Sequence, residues 1–251
     1  MIPIEVQKYI NSLPDNVPEI DLSNRKLAEL PDLSCFTQLQ KLWCYRNQLT
    51  SLPPNLPNSL QELDCHNNQL TSLPDTLPNS LYKLLCYNNQ LTFLPDLPNS
   101  LQYLDCTCNR LTSLPPNLPN SLQILYCSNN QLTSLPDLPN SLQQLYCSNN
   151  QLTSLPDLPN SLQQFWCSNN PELKKIYPLL NTFKTIGEKK KHIQEQNWQI
   201  TKKRTKERMK LLNPKEGGLI ETAIQWRMRP ERMAKYLNDD KFELDEINDF
   251  L

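Results

Sequence analysis

The sequence predicts a thin repeat solenoid: one parallel sheet with a short strand per unit, an extended polyproline-like return on the other side, and an α-helical C-terminal tail. Three observations carry that prediction. Residues 142–156, Leu-Gln-Gln-Leu-Tyr-Cys-Ser-Asn-Asn-Gln-Leu-Thr-Ser-Leu-Pro, place apolar residues at places 1, 4, 6 and 11 and an Asn at place 9. The unit recurs from Val17, Leu39, Leu60, Leu81, Leu101, Leu122 and Leu162, giving about eight units at a period of 20 to 22 residues, too short for a helix in each. Finally, 22 Pro stand against 3 Gly, and the paired prolines of each return segment fix φ near the polyproline value and exclude a helix there.

Each element has a residue-level reason. Residues 1–16 read as an N-terminal helical cap, with a short helix over residues 3–12 that starts at Pro3 and offers Ile4, Tyr9, Ile10 and Leu13 as an apolar side. A first unit exposes its core unless something covers it. That unit is itself atypical, with Leu22 in place of Cys and Arg25 in place of Asn.

From Leu39 to Asn170, Leu at places 1 and 4 and Cys at place 6 alternate inward along a strand. The ladder Asn47, Asn68, Asn89, Asn109, Asn130, Asn150 and Asn170 marks the exit from each strand, where an amide satisfies backbone groups that the turn leaves unpaired. Leu173, Ile176, Tyr177, Leu179 and Leu180 are placed to cover the last unit and close the region 17–180. Residues 181–213 read as a basic, charged helix from about Thr182 to Leu212, with Phe183, Ile186, Ile193, Ile200 and Leu211 too sparse for a strong coiled coil. Asn213-Pro214 ends it, and residues 214–251 read as a short helical module after the Gly217-Gly218 joint.

Charge is divided unevenly along the chain. The tail from Asn181 holds 16 of the 25 Lys and Arg and 12 of the 26 Asp and Glu, so it is +4 and the preceding body −5. Of nine cysteines, Cys44, Cys65, Cys86, Cys106, Cys127, Cys147 and Cys167 share place 6, where Cys acts as a small apolar filler. A line of thiols spaced about 4.8 Å apart does not converge on a tetrahedral metal. Cys35 and Cys108 lie outside the ladder, and Cys108 is expected to be the more exposed.

No apolar run approaches a membrane span, the first residues lack the regions of a signal peptide, and no Asn-x-Ser/Thr acceptor occurs. The chain therefore reads as intracellular and kept in a reducing compartment, the cytoplasm or a host-cell nucleus. No cofactor or metal is expected.

The pattern Leu-x-x-Leu-x-Cys-x-x-Asn-x-Leu-Thr-x-Leu-Pro-x-Leu-Pro-x-x-Leu resembles the short bacterial, Leu-Pro type of leucine-rich repeat, over roughly 155 of the 251 residues. The place that resemblance gives to Val or Leu is Cys here. The resemblance implies a curved solenoid whose concave sheet binds other proteins. Some effectors of this class also carry a C-terminal ubiquitin ligase with a catalytic Cys, but no Cys follows Cys167 and the tail is too short, so no such activity is carried over. The Asn- and Lys-rich repeats, followed by a charged tail with Arg-Pro-Glu-Arg-Met-Ala-Lys-Tyr-Leu, are similar in style to repeat proteins of giant amoeba-infecting DNA viruses.

The outward places 3, 5 and 7 vary between units while the inward places barely do, as expected of a face released from packing. Trp43, Tyr45, Asp64, Tyr87, Tyr103, Asp105, Tyr126, Tyr146 and Trp166 are the candidate partner-binding residues, since Tyr and Trp join large contact area to a polar atom. The alternative is that these aromatics merely fill a sheet surface in recently copied units. With two histidines, His66 and His192, catalytic constellations are poor, and His66 near Asp64 and Asp105 is the one candidate acid–base or metal position.

Lys190, Lys191, Lys202, Lys203, Arg204 and Lys206 match the spacing of a bipartite nuclear import signal within the basic helix 184–210, against the plainer reading of a solvated helix. The sequence thus points to a non-enzymatic protein–protein interaction scaffold with an unknown protein partner and nucleic acid disfavoured. The alternative is a nuclear or nucleic-acid-associated adaptor acting through the basic helix.

Overall fold

The computed structural model of the chain describes residues 3–180 and 185–212. Eight three-residue strands form one parallel sheet in sequential order: β1 Glu19–Asp21, β2 Lys41–Trp43, β3 Glu62–Asp64, β4 Lys83–Leu85, β5 Tyr103–Asp105, β6 Ile124–Tyr126, β7 Gln144–Tyr146 and β8 Gln164–Trp166. The register matches place for place, as in Leu84 opposite Leu104 and Leu104 opposite Leu125. Helix α1 (Ile4–Ser12) precedes the sheet, and α2 (Pro171–Ile176) and α3 (Ile186–Leu212) follow it. The chain divides into two compact units, Met1–Lys190 and Lys191–Leu251.

The period sets the core. Places 1, 4, 6 and 11 supply Leu122, Leu125, Cys127 and Leu132 in the sixth unit, all fully buried, and the same places are buried in every unit from β2 to β7; in the β8 unit places 1, 4 and 6 are buried and place 11 is the exposed Glu172. Burial pushes the ladder thiols far up from their ordinary range, Cys167 to about 12, so they sit in the core as neutral apolar groups.

Two polar ladders stitch the units together. Asn109 accepts from Leu91 N–H at 2.9 Å and donates to the carbonyls of Cys86 and Cys106, both at 3.1 Å, so one amide holds two adjacent units. The same triangle recurs at Asn130, Asn150 and Asn170. A second ladder is not evident from the sequence pattern. The Ser that ends each return donates its hydroxyl to the place-1 carbonyl one unit back, Ser100 to Leu81 at 2.6 Å and Ser121 to Leu101 at 2.7 Å.

Place 8 also has a structural duty. Asn24, Arg46, Asn67, Asn88, Cys108, Asn129, Asn149 and Asn169 all take the left-handed conformation, with φ between 52° and 56°. Asn tolerates this region and replaces the Gly that the chain largely lacks. Arg46 and Cys108 have no such excuse.

Four expectations need correction. Cys35 is exposed while Cys108 is only half-exposed, because Cys108 occupies the tight place-8 turn between neighbouring units. Ile4 is 75% exposed, since α1 turns Val6 and Ile10, one helical turn apart, toward the core. Leu179 is 52% exposed, whereas Leu173, Tyr177 and Leu180 are buried; the Tyr177 hydroxyl also accepts from Leu155 N–H at 3.3 Å. The long helix begins at Ile186 rather than near Thr182, where Thr185 and Glu188 form a reciprocal capping box: Thr185 N–H donates to Glu188 Oε2 and Glu188 N–H to Thr185 Oγ1. Phe183 and the expected module at 214–251 lie outside the described residues.

Candidate functional site

Alternation along each strand turns places 3 and 5 to the face opposite the core, with place 7 following. This gives three parallel rows of side chains across the sheet. The place-3 row opens with alternating charge: Glu19, Lys41, Glu62, Lys83. Lys41 Nζ lies 2.7 Å from Glu19 and 4.0 Å from Glu62, and Lys83 Nζ lies 3.6 Å from Glu62. Each lysine also rides over a ring, Lys41 at 6.0 Å from Trp43 and Lys83 at 5.8 Å from Tyr103. The Tyr82 hydroxyl, at place 2, donates to Glu62 at 2.6 Å, a contact that attention to places 3, 5 and 7 alone overlooks.

The aromatic residues form two ring groups. In the first, His66 is sandwiched between Tyr45 and Tyr87, with centroids 4.6 and 4.3 Å apart and rings within 9° of parallel. His66 Nδ1 lies 2.5 Å from Asp64 Oδ1, which also accepts from the His66 N–H. The imidazole is buried, and a carboxylate and two rings enclose it. Among the described residues no three His, Cys, Asp or Glu side chains converge as a metal site would need.

The second group runs Tyr103, Tyr126, Tyr146, Trp166. Tyr103 meets Tyr126 edge-on at 5.6 Å, and Tyr126–Tyr146 and Tyr146–Trp166 follow at 4.5 and 4.6 Å with tilted rings. Two of the phenols are tied to the next strand, Tyr126 Oη donating to Gln144 at 2.7 Å and Tyr146 Oη to Gln164 at 2.6 Å. These glutamines sit diagonally across from the tyrosines, a cross-strand relation that two neighbouring units of the sequence do encode. The result is a neutral aromatic platform held in fixed orientation, ending at Trp166, which is 49% exposed.

Asp105 lies between the two groups, in register with Leu85 on one side and Tyr126 on the other. Its Oδ1 accepts from Thr107 N–H at 3.0 Å. Burial pushes its carboxyl above the usual range, opposed by the Thr107 hydrogen bonds. Burial, reinforced by the Asp105 charge, pushes the Tyr103 phenol up to about 12.

An open cleft of about 840 Å³ lies elsewhere: it is lined by Ser34, Thr37 and the return segments 55–58, 75–79 and 96–99, with no strand residue. Its walls repeat the Leu-Pro-Asn geometry and bring no ionisable side chains together beyond Asp75 and Asp96.

The basic residues have different settings. Lys190 Nζ donates to the carbonyls of Asn160 and Leu162, both at 3.1 Å, and Lys189 Nζ to Phe165 O at 3.4 Å, so these two lysines close the end of the sheet. Burial lowers the Lys190 pKa. Lys191, Lys202, Lys203 and Arg204 are exposed, and the side chain of Lys206 lies outside the described residues. No helix among the described residues is long and apolar enough to cross a membrane.

Comparison with known proteins places this geometry. The family description "Leucine Rich repeats (2 copies)" matches residues 99–140 and 140–181, and "Leucine Rich Repeat" matches residues 59–80. No curated protein matches the chain in sequence. Among solved structures, YopM from Yersinia enterocolitica is 35% identical over 63% of this chain and 39% of its own, with a TM-score of 0.52. YopM from Yersinia pestis, described as a leucine-rich effector protein, is 37% identical over 61% of this chain and 49% of its own, with a TM-score of 0.52. The chain thus spans less than half the length of either Yersinia structure. The leucine-rich-repeat domain of a Shigella effector is 32% identical over 71% of this chain and 80% of its own, with a TM-score of 0.59. With four-fifths of that domain covered and the Leu-Pro period present throughout, the chain belongs to the leucine-rich repeat family, in its short bacterial form.

Proposed function

We propose that this chain is a non-enzymatic protein-interaction scaffold that binds a partner protein on the concave face of the solenoid, in a reducing compartment. The observation that carries the reading is the Tyr126–Tyr146–Trp166 platform, whose rings are spaced 4.5 and 4.6 Å apart and whose phenols are tied down by Gln144 and Gln164. Aromatic surface already held in place loses little conformational freedom on binding, which favours recognition. The Yersinia pestis and Shigella structures it resembles are described as effectors. The polar groups capable of chemistry serve structure instead: His66 is stacked and paired with Asp64, and the buried thiols stay protonated and are poor nucleophiles.

Affinity capture at physiological salt from a host-cell lysate tests this, comparing the full chain with a variant carrying Tyr126→Ala, Tyr146→Ala and Trp166→Ala. A protein retained by the first and lost from the second supports the concave face. A protein retained equally by both sinks it.

The exposed Lys191, Lys202, Lys203 and Arg204 favour one second reading, an adaptor for the nucleus or nucleic acid acting through the basic helix. Phosphate binding weakens steeply between low and physiological salt, whereas an aromatic protein interface does not. Capture that disappears as salt rises, and that ignores the triple substitution, belongs to the helix.

A further inference from the structure

We propose, resting on the concave-face reading above, that Asp105 together with Tyr87, Tyr103 and Tyr126 forms a seat for one cationic side chain, Arg or Lys, of a partner protein.

The argument begins with the bookkeeping of charge in the outward rows. The place-3 row neutralises itself, each of its two lysines lying within 4.0 Å of Glu62. The place-5 row does not. It carries Asp21, Asp64 and Asp105 on alternate strands and no Lys or Arg. Asp64 accepts from the His66 backbone N–H and lies against its ring Nδ1. Asp105 is hydrogen-bonded by Thr107 and feels His66 only at longer range, and among the described residues no Lys or Arg pairs with it.

The face shows twice what occupies a carboxylate beside a ring. Lys41 sits between Glu19 and the Trp43 ring, and Lys83 between Glu62 and the Tyr103 ring. Asp105 repeats the arrangement one step along. It stands in register beside Tyr126, on the same strand face as Tyr103, and those rings meet edge-on at 5.6 Å. Tyr87, in the preceding unit, has its phenol pushed up by burial and by the charges of Asp64 and Asp105, with Arg46 acting against them. The chain supplies the carboxylate and the rings there; Lys83 already covers one face of Tyr103, but among the described residues no Lys or Arg is paired with Asp105 itself.

Desolvation sharpens the inference. Burial raises the Asp105 pKa, so its charge is held at a cost to the free protein. An arriving guanidinium or ammonium relieves that cost, and the rings add cation–π attraction. The outward rows 3 and 5 of β1–β5 carry five carboxylates, Glu19, Asp21, Glu62, Asp64 and Asp105, against Lys41 and Lys83, so the long-range field also favours a basic segment.

The test is selection of random twelve-residue peptides on the immobilised full-length protein, followed by titration of the enriched peptides against wild type, Asp105→Asn and the Tyr126, Tyr146, Trp166 triple-Ala variant. Asn keeps an acceptor for Thr107, and because it removes a desolvated charge its Tm should equal or exceed that of wild type. Enriched peptides should carry Arg or Lys. Asp105→Asn should weaken them roughly thirtyfold. Replacing the peptide's Arg with citrulline should cost the same, with no further loss when both changes are combined.

Peptides that lose binding with the triple substitution but ignore Asp105→Asn overturn the cation seat and leave the concave-face reading standing. Peptides indifferent to both overturn both. Enrichment of neutral or acidic peptides, or of none, counts against the seat. Self-association of the full chain that Asp105→Asn abolishes replaces the separate partner with a second copy's basic segment and overturns the proposal as stated.

Discussion

Strands β1–β5 present Glu19, Asp21, Lys41, Glu62, Asp64, Lys83 and Asp105 on their outward face, whereas β6–β8 present Ile124, Tyr126, Gln144, Tyr146, Gln164 and Trp166 and no charge. Behind both stretches the same Leu–Leu–Cys core, the same Asn triangle and the same Ser bond recur. The outward face therefore changes character without changing the backbone. In a solenoid each unit answers to its neighbours through the inward places, and the outward places are free to take up another task. The charged stretch spends its lysines on its own glutamates and leaves the place-5 aspartates, while the neutral stretch spends its glutamines on its own tyrosines and leaves ring faces.

The largest expected effect strikes both stretches alike. The seven ladder thiols are buried and their pKa values are raised, so above the ordinary thiol range near 9 the unfolded chain gives up protons that the folded chain keeps. Their contribution is fully present below that range and is lost as pH rises through it, at roughly 1.4 kcal/mol per thiol per pH unit. Thermal melts followed by circular dichroism should fall steeply between pH 8.5 and about 10.5. A flat Tm across that interval would show that the thiols are not held as buried neutral groups.

The next effect asks whether the core is as uniform as the geometry says. Asn89→Ala, behind the charged stretch, and Asn150→Ala, behind the aromatic one, each strip a buried N–H and two carbonyls of their partners. Each should cost about 2–3 kcal/mol in denaturant unfolding. Asn68 is only half-buried, so Asn68→Ala should cost less. Unequal costs for Asn89 and Asn150 would break the premise that the two stretches share one core.

A smaller effect of opposite sign isolates place 8. Cys108 holds φ at 55° where its neighbours Asn88 and Asn129 do so without strain. Cys108→Asn should stabilise the protein by about 0.5–1 kcal/mol, read as a rise in Tm. No gain would mean that the Cys108 side chain makes up for its backbone.

Most of the fold was legible because period 20 to 22 with fixed apolar places leaves one way to bury the core. Eight strands, their order and their parallel register follow from stacking like on like. The duties of place 8 and of the Ser ladder were not legible, since Asn and Ser are equally ordinary in any polar turn. Of the candidate site, the residue identities could be read and their groupings could not. Ring stacking of Tyr45, His66 and Tyr87 depends on side-chain rotation across three strands, which no spacing rule specifies.

The sequence by itself determined which residues face inward, that the return segments are extended, and that the outward face is charged early and aromatic late, because these depend on periodicity and composition alone. Only the tertiary structure decided which charges find partners. Lys41 and Lys83 reach Glu19 and Glu62 across strands, 22 and 21 residues apart in sequence, Lys190 is drawn to the carbonyls of Asn160 and Leu162, and Asp105 is left with Thr107 beside the tyrosines. The physical reason is range: burial patterns repeat within one unit, whereas an ion pair or a desolvated carboxylate depends on what neighbouring units bring within about 4 Å.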